Sequence, residues 1–397
     1  MADAGPLAGR RVVDLSGEMG GYGTRLLAEL GADVVLVEPP GGLPQRTRPP
    51  LRAGCTGPEA SLVFAYYHSS KRGVTLDVTR PAALPLLSAL AGSADAVVLA
   101  PSRRAPVVGL DPDARAVSWA PAGAVVVCLT PFGLSGPYRD LRATHLTSYA
   151  MGGLMKRMGP PGGPPRAVPY QQMHDQLALH GAFAVLAGWR DHAVVGGQFV
   201  ELSLHELIGG QDDQLDRYAA AFDIAGRVPA TQAPPTGVWR CLDGFVEVLV
   251  HNPPHWRGFR TLIGAPPELA DPAFEQRGAR LQRRAAILPL VADRLARLPV
   301  AELVERGQAL GVPCAAVNEP AGFVDDPQPA ARDYWRTTRH PVLGAVRTPG
   351  ASFRSTPALL AHRSPAPMLG EHNAAIWCGE LGFAPDALTT WREDGLV

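Results

Sequence analysis

No two cysteines of this chain form a C-x-x-C pair; Cys55, Cys128, Cys241, Cys314 and Cys378 lie far apart. That spacing argues against a zinc knuckle and against a disulfide framework, so no metal is expected. Neither sign of charge is in excess, because Lys plus Arg and Asp plus Glu both total 37. A chain without net charge has no global field to draw in nucleic acid or an anionic membrane. No apolar run reaches the ~18 residues that a membrane-spanning helix needs. Residues 1–10 lack the basic stretch and apolar core of a secretory signal. A soluble protein of a reducing, cytoplasmic compartment is the expectation.

What is present is ample material for a core. Apolar residues make up 46% of the 397 residues and charged residues 19%. That length suits two domains, or one large domain with an excursion. The 43 glycines and 40 prolines are spread along the chain, which predicts many tight connections rather than a low-complexity segment.

The pattern opens as strand, helix, strand. Arg11 to Leu15 is a short apolar run, Gly17 to Gly23 reads as a Gly-rich turn, and Thr24 to Leu30 has helical spacing. Val34 to Val37 is a second β-branched run. Gly73 to Asp77, Ala96 to Leu99 and Ala124 to Leu129 read as further strands, with a helix from Pro81 to Ala91. Such alternation predicts a doubly wound α/β sheet. A long helix is expected from about Gln172 to Trp189. From Val238 the character changes to a hairpin with an Asp243-Gly244 turn, followed by amphipathic helices near 282–298 and 301–310. A last helix is expected near 373–381.

Several segments could carry chemistry. Gly21 and Gly23 begin a G-x-G, but Leu26 stands where a dinucleotide fingerprint needs glycine, although Glu38 occupies the acidic place after the second strand. Lys71-Arg72 and Arg103-Arg104 sit at strand boundaries and suit phosphates, or are simply solvated charge. The loop Leu129 to Asp140 directly follows a buried strand, and its amides could face an oxyanion. His174-Asp175 opens the long helix, with His145 and His180 near in sequence; an Asp there is either a cap or a nucleophile. His205-Glu206 lacks the second histidine of a zinc protease.

Taken in order, the segments resemble the class III CoA-transferase family, also called the carnitine-dehydratase/bile-acid-inducible family. Leu27-Ala28-Glu29-Leu30-Gly31-Ala32-Asp33-Val34-Val35-Leu36-Val37-Glu38-Pro39-Pro40 is similar to its "LADLGADVIKVEPP" signature. Ser70 to Asp77 resembles "NKRSVxLD", and Phe132 to Asp140 resembles "GFGxxGPYRD". Gly311-Val312-Pro313, Asp326-Pro327-Gln328 and Leu369-Gly370-Glu371-His372 continue the match. The resemblance implies a large Rossmann-like domain over 1–225, a smaller α+β domain over 226–325, and a return to the large domain over 326–397. It also implies an interlocked homodimer that holds coenzyme A as an acyl thioester. By the same resemblance Glu18, Met19, Pro39, Lys71, Arg72 and Arg104 would line the coenzyme site.

Departures from the family pattern narrow the chemistry. Transferases of the family attack the thioester with an Asp at the start of the long helix, giving a mixed anhydride and then an enzyme–CoA thioester. The ungapped position here is Met173, and Asp175 stands two residues on, turned by ~200° on a helix. The racemases' His-Asp pair reads Thr144-His145, their second-domain Glu reads Asn252, and no glycine-rich lid is found over 231–237. The expected function is transfer of CoA between carboxylic acids with Asp175 as nucleophile. The alternatives are a racemase, dehydratase or lyase with His145 as base, or a CoA-binding member with altered catalysis.

Overall fold

The computed structural model describes residues 5–102, 106–158, 163–211 and 233–397. The chain divides into two compact units, one of residues 1–213 with 333–397 and one of 214–332.

The first unit is built on strands β1 (Arg11–Leu15), β2 (Asp33–Glu38), β3 (Arg72–Thr75), β4 (Ala96–Leu99), β7 (Val125–Thr130) and β8 (Gln198–Ser203), with a two-residue hairpin β5 (Leu110–Asp111) and β6 (Ala116–Val117) before β7. The six long strands form one sheet in the order β3-β2-β1-β4-β7-β8. Every pairing in it is parallel. Counted by their own sequence, these strands run 3-2-1-4-5-6, so the direction of winding switches between β1 and β4. Ligands of open α/β sheets bind at that switch, outside the carboxyl ends of the strands.

The strands read as unbroken apolar runs because both faces are covered. Val13, Val35, Val97 and Cys128 point to one face, under α3 (Leu84–Ala91) and the C-terminal Ile376 and Trp377. Val12, Val34, Val98 and Val127 point to the other, under α1 (Gly17–Glu29) and α6 (Gln172–Val195). Each fully buried Val or Leu contributes ~1.5–3 kcal/mol.

The Gly17–Gly23 segment is helical, not a turn: it forms the first two turns of α1. Its glycines serve packing. A Cβ on Gly23 would lie 1.9 Å from the Ala178 carbonyl oxygen, so α1 and α6 meet backbone to backbone. The expected strands otherwise stand within two residues of where the apolar runs place them. The antiparallel hairpin β12 (Trp335–His340) and β13 (Gly344–Pro349), and the helix Pro385–Glu393, were not legible in the sequence.

The second unit has an antiparallel sheet in the order β11 (Cys314–Ala316), β10 (Phe245–Val248), β9 (Gly237–Arg240). Its core includes Val246, Val248, Trp256, Phe259, Val291 and Leu303. Arg280 is fully buried there and donates to the carbonyls of Pro234, Val250 and Phe274. The resulting clamp holds the segment into β9 against the end of β10. Asn252 caps the next helix, α8 (Pro253–Leu262), by accepting the His255 amide at 2.9 Å. It therefore does the work of a helix cap at the place where the racemases carry a glutamate.

Candidate active site

The amino end of α6 lies against α1 and against α4 (His145–Met151). α4 starts with a reciprocal cap between Thr144 and Thr147. α6 has no such cap of its own, since Gln171 makes no side-chain bond. Instead Nε2 of His145 accepts the Met173 amide at 3.4 Å. A neutral His145 that accepts at Nε2 carries its proton on Nδ1. Burial holds this imidazole below its ordinary pKa, against a smaller opposing pull from Glu18. His145→Ala is expected to cost about 1 kcal/mol of stability through the lost cap. An unchanged urea midpoint would show that the bond contributes nothing.

Met173 faces inward and packs in the core under α1 and α6. The next two residues make different contacts. His174 is 8% exposed, and its Nδ1 stands 3.8 Å from Oε1 of Glu18. That nitrogen has no hydrogen-bond partner among the described residues. Its ring meets His145 edge to face, with centroids 5.5 Å apart. Burial pushes its pKa down to about 4, with Glu18 pulling the other way and His145 and Arg48 adding to the depression. Asp175 is half-buried and accepts a hydrogen bond from the Tyr67 hydroxyl at 3.1 Å. Burial pushes its carboxyl up to about 6, and the Tyr67 bond only partly offsets that. Tyr22, one helical turn beyond Glu18 on α1, packs edge-on to Tyr67 and is pushed up to about 12, chiefly by burial. Glu18 is also held by Arg48 at 2.5 Å.

Beyond the carboxyl ends of β4 and β7 lies a cleft of about 310 Å³, lined by Pro101, Ser102, Val107, Thr130, Gly133 and Arg139 among others. The loop after β7 thus borders an open space, as its place in the sequence implies. Two of its amides are already engaged. The Gly133 N–H donates to Thr130 Oγ1 at 2.8 Å, and the Leu134 N–H donates to the Glu201 carboxylate.

Glu18 and Met19 stand in the first turn of α1, and Pro39 is exposed just past β2. These three share the carboxyl edge of the sheet. Lys71 and Arg72 are placed otherwise. Lys71 is 2% exposed, and its ammonium meets Asp14 at 2.9 Å, Thr24 at 2.8 Å, the Gly21 carbonyl at 3.0 Å and His68 Nδ1 at 3.1 Å. With every donor engaged inside the protein, it has none left for a phosphate. Arg72 reaches back to Asp33, the first residue of β2, and to Glu380, away from the carboxyl edge. Arg104 lies outside the described residues. Glu38 is fully buried and gripped by the Arg46 guanidinium through two bonds of 2.7 Å, so it offers nothing to a ribose. Tyr67 and Arg48 lie beside these residues without having been singled out in the sequence, unlike His174. His174 was legible through the dipeptide His174-Asp175, whereas Tyr67 and Arg48 had no sequence signal.

Among the described residues no three His, Cys, Asp or Glu side chains are grouped to hold a metal. None of the described helices is long and apolar enough to cross a membrane.

A family model described as CoA-transferase family III matches residues 7–373. The chain belongs to CoA-transferase family III. The resemblance seen in the sequence is borne out over nearly the whole chain. A probable CoA-transferase of Mycobacterium tuberculosis is 33% identical over 88% of this chain, which spans only 44% of that protein's length. A subunit of succinyl-CoA:(R)-benzylsuccinate CoA-transferase from Thauera aromatica is 29% identical, with 95% of each chain covered. Among solved structures, a CaiB/BaiF family protein from Brucella suis superposes with a TM-score of 0.82 at 26% identity, covering 95% of this chain and 99% of that one. Members of CoA-transferase family III matched here are named for exchange of CoA between acids, such as formyl-CoA with oxalate and succinate with glutarate.

Proposed function

We propose that this protein transfers coenzyme A from an acyl-CoA to a free carboxylic acid, with Asp175 as the covalent nucleophile. The observation that carries the reading is the half-buried Asp175 carboxylate at the entrance of α6, poorly solvated and held by Tyr67. Poor solvation raises the basicity of a carboxylate, and a more basic carboxylate attacks a thioester carbon more readily. Its attack forms a C–O bond, and the C–S bond breaks with loss of the CoA thiolate. The mixed anhydride then gains CoA at the Asp175 carbonyl and releases the first acid. Attack of the second acid on that enzyme thioester, followed by return of CoA, completes the exchange and restores Asp175.

The adenosine end of the coenzyme would lie over the cleft beyond β4 and β7, on the carboxyl edge of the sheet that also carries Met19 and Pro39. A second copy of the chain would cover the apolar outer side of α6, where Phe183 is 70% exposed and Val194 82%. Removal of an α-proton by His145 is the weaker reading, because its Nε2 already accepts the Met173 amide.

Incubation with formyl-, succinyl- or glutaryl-CoA followed by hydroxylamine should leave a hydroxamate on Asp175, read by peptide mass spectrometry. A wild-type enzyme that exchanges CoA yet is never labelled there would defeat the assignment.

A further inference from the structure

We propose that the Tyr67 hydroxyl is a catalytic donor, which binds the oxyanion formed on Oδ2 of Asp175 each time a nucleophile adds to that acylated side chain. The inference deepens the transfer reading and rests on it. It starts from a difference between the two oxygens of Asp175. Oδ2 accepts the Tyr67 hydroxyl at 3.1 Å, whereas Oδ1 takes no hydrogen bond among the described residues. A hydrogen bond lowers the basicity of the oxygen that receives it, so Oδ1 is the one that attacks. Oδ1 then becomes the bridging oxygen of the anhydride. Oδ2 becomes the carbonyl oxygen, with Tyr67 already on it.

The surroundings hold that hydroxyl in place. Tyr67 is the last residue of α2 (Leu62–Tyr67), a helix capped by the Ser61 hydroxyl, which accepts the Phe64 amide at 3.1 Å. Its ring meets Tyr66 and Tyr22 edge to face, with centroids 5.3 and 6.1 Å away. A donor positioned before reaction needs no reorganisation as charge develops. Burial first, then the Asp175 carboxylate and the neighbouring phenols, push the Tyr67 pKa up, so the hydroxyl keeps its proton over the working range. Among the described residues Tyr67 is the one side chain that donates to this carboxylate.

The bond is strongest where charge appears. In the anhydride and in the enzyme thioester Oδ2 is a neutral carbonyl oxygen and a weak acceptor. When the CoA thiolate adds to the anhydride, or the second acid adds to the thioester, the carbonyl electron pair moves onto Oδ2. The hydrogen bond is then charge-assisted, and it favours the transition state over the intermediate on either side. The pair returns as the C–O bond to the first acid, or the C–S bond to CoA, breaks. The leaving group departs as carboxylate or thiolate. The phenol proton stays on Tyr67, and no further proton, oxidant or reactant enters.

The test separates the first addition, at the carbonyl of the acyl-CoA, from those at Asp175. Wild type and Tyr67→Phe are mixed with formyl-, succinyl- or glutaryl-CoA in single turnover. A thiol reagent counts the CoA set free as the anhydride forms. In parallel samples without the reagent, intact-protein mass spectrometry after an acid quench counts the enzyme–CoA thioester. Tyr67→Phe should free CoA at least as fast as the wild type, yet form the thioester about 100-fold more slowly, as expected for loss of one oxyanion donor. Steady-state transfer should fall by the same factor in kcat. 3-Fluorotyrosine at position 67 guards against a folding defect: this more acidic phenol is a stronger donor, so thioester formation should match or exceed the wild-type rate. An equal loss in both steps, no loss in either, or a fluorinated enzyme slower than the wild type overturns the proposal. A hydroxamate on Asp175 of the wild type reports separately on the nucleophile. If it forms and the two steps respond alike, only the role of Tyr67 falls; if it is missing, the Asp175 reading falls and this proposal with it.

Discussion

Asp175→Asn is expected to abolish CoA transfer and at the same time to stabilise the protein near pH 7.5 by about 1–2 kcal/mol. The sign follows from the direction of the shift. The Asp175 carboxyl titrates at about 6 in the folded chain, against 3.8 for the free side chain. Folding therefore disfavours its ionised form. Below pH 3.8 both states are protonated and the group contributes nothing. Between pH 3.8 and about 6 the folded state loses stability as pH rises, and above that the whole penalty is present. The shift alone corresponds to about 3 kcal/mol at ~1.36 kcal/mol per unit, and partial exposure reduces it. Asparagine keeps an oxygen to accept the Tyr67 hydroxyl and never ionises. Urea unfolding of both proteins at pH 4 and pH 7.5 checks the idea: the gain should be present at pH 7.5 and shrink at pH 4. A variant that keeps its transfer activity, or that is destabilised equally at both pH values, would contradict the nucleophilic role or the burial that supports it.

The second large effect concerns Lys71. Lys71→Met should cost about 3–5 kcal/mol, because it leaves the Asp14 carboxylate buried without its counter-ion. Asp14 is fully buried; the Lys71 ammonium and the Ser16 and Thr24 hydroxyls hold its pKa down against the cost of burial. Replacing both partners, Asp14→Leu with Lys71→Met, should recover much of the loss, since no charge then remains unpaired. A phosphate-binding lysine would behave differently: Lys71→Met would keep the unfolding midpoint and weaken CoA binding. That result, read by calorimetry with CoA, would return Lys71 to the coenzyme site.

Glu18, Met19, Pro39, His145 and Asp175 were legible as candidates because each follows a strand or opens a helix whose signal is local. Lys71 and Arg72 were misplaced for a different reason. A basic dipeptide beside a strand looks the same whether its charges face water, a phosphate or buried carboxylates. The partners that decide it, Asp14 and Glu380, stand 57 and 308 residues away. His145 is a similar case, since its bond to α6 crosses 28 residues. The glycines of α1 misled because glycine favours turns when only the backbone is considered. Here they answer to the carbonyl of Ala178 on another helix.

The sequence alone determined the parallel sheet, its family and the neighbourhood of the site. Strand runs, helical spacing and motif order are properties of adjacent residues, and burial on both faces requires those runs wherever the sheet forms. Only the tertiary structure decided which charged groups are spent inside the protein and which are not. Glu38 with Arg46 and Asp14 with Lys71 are closed off, while the Glu18 and Asp175 side chains stay partly exposed. That division depends on desolvation and on partners from distant parts of the chain, and neither is written in any single segment.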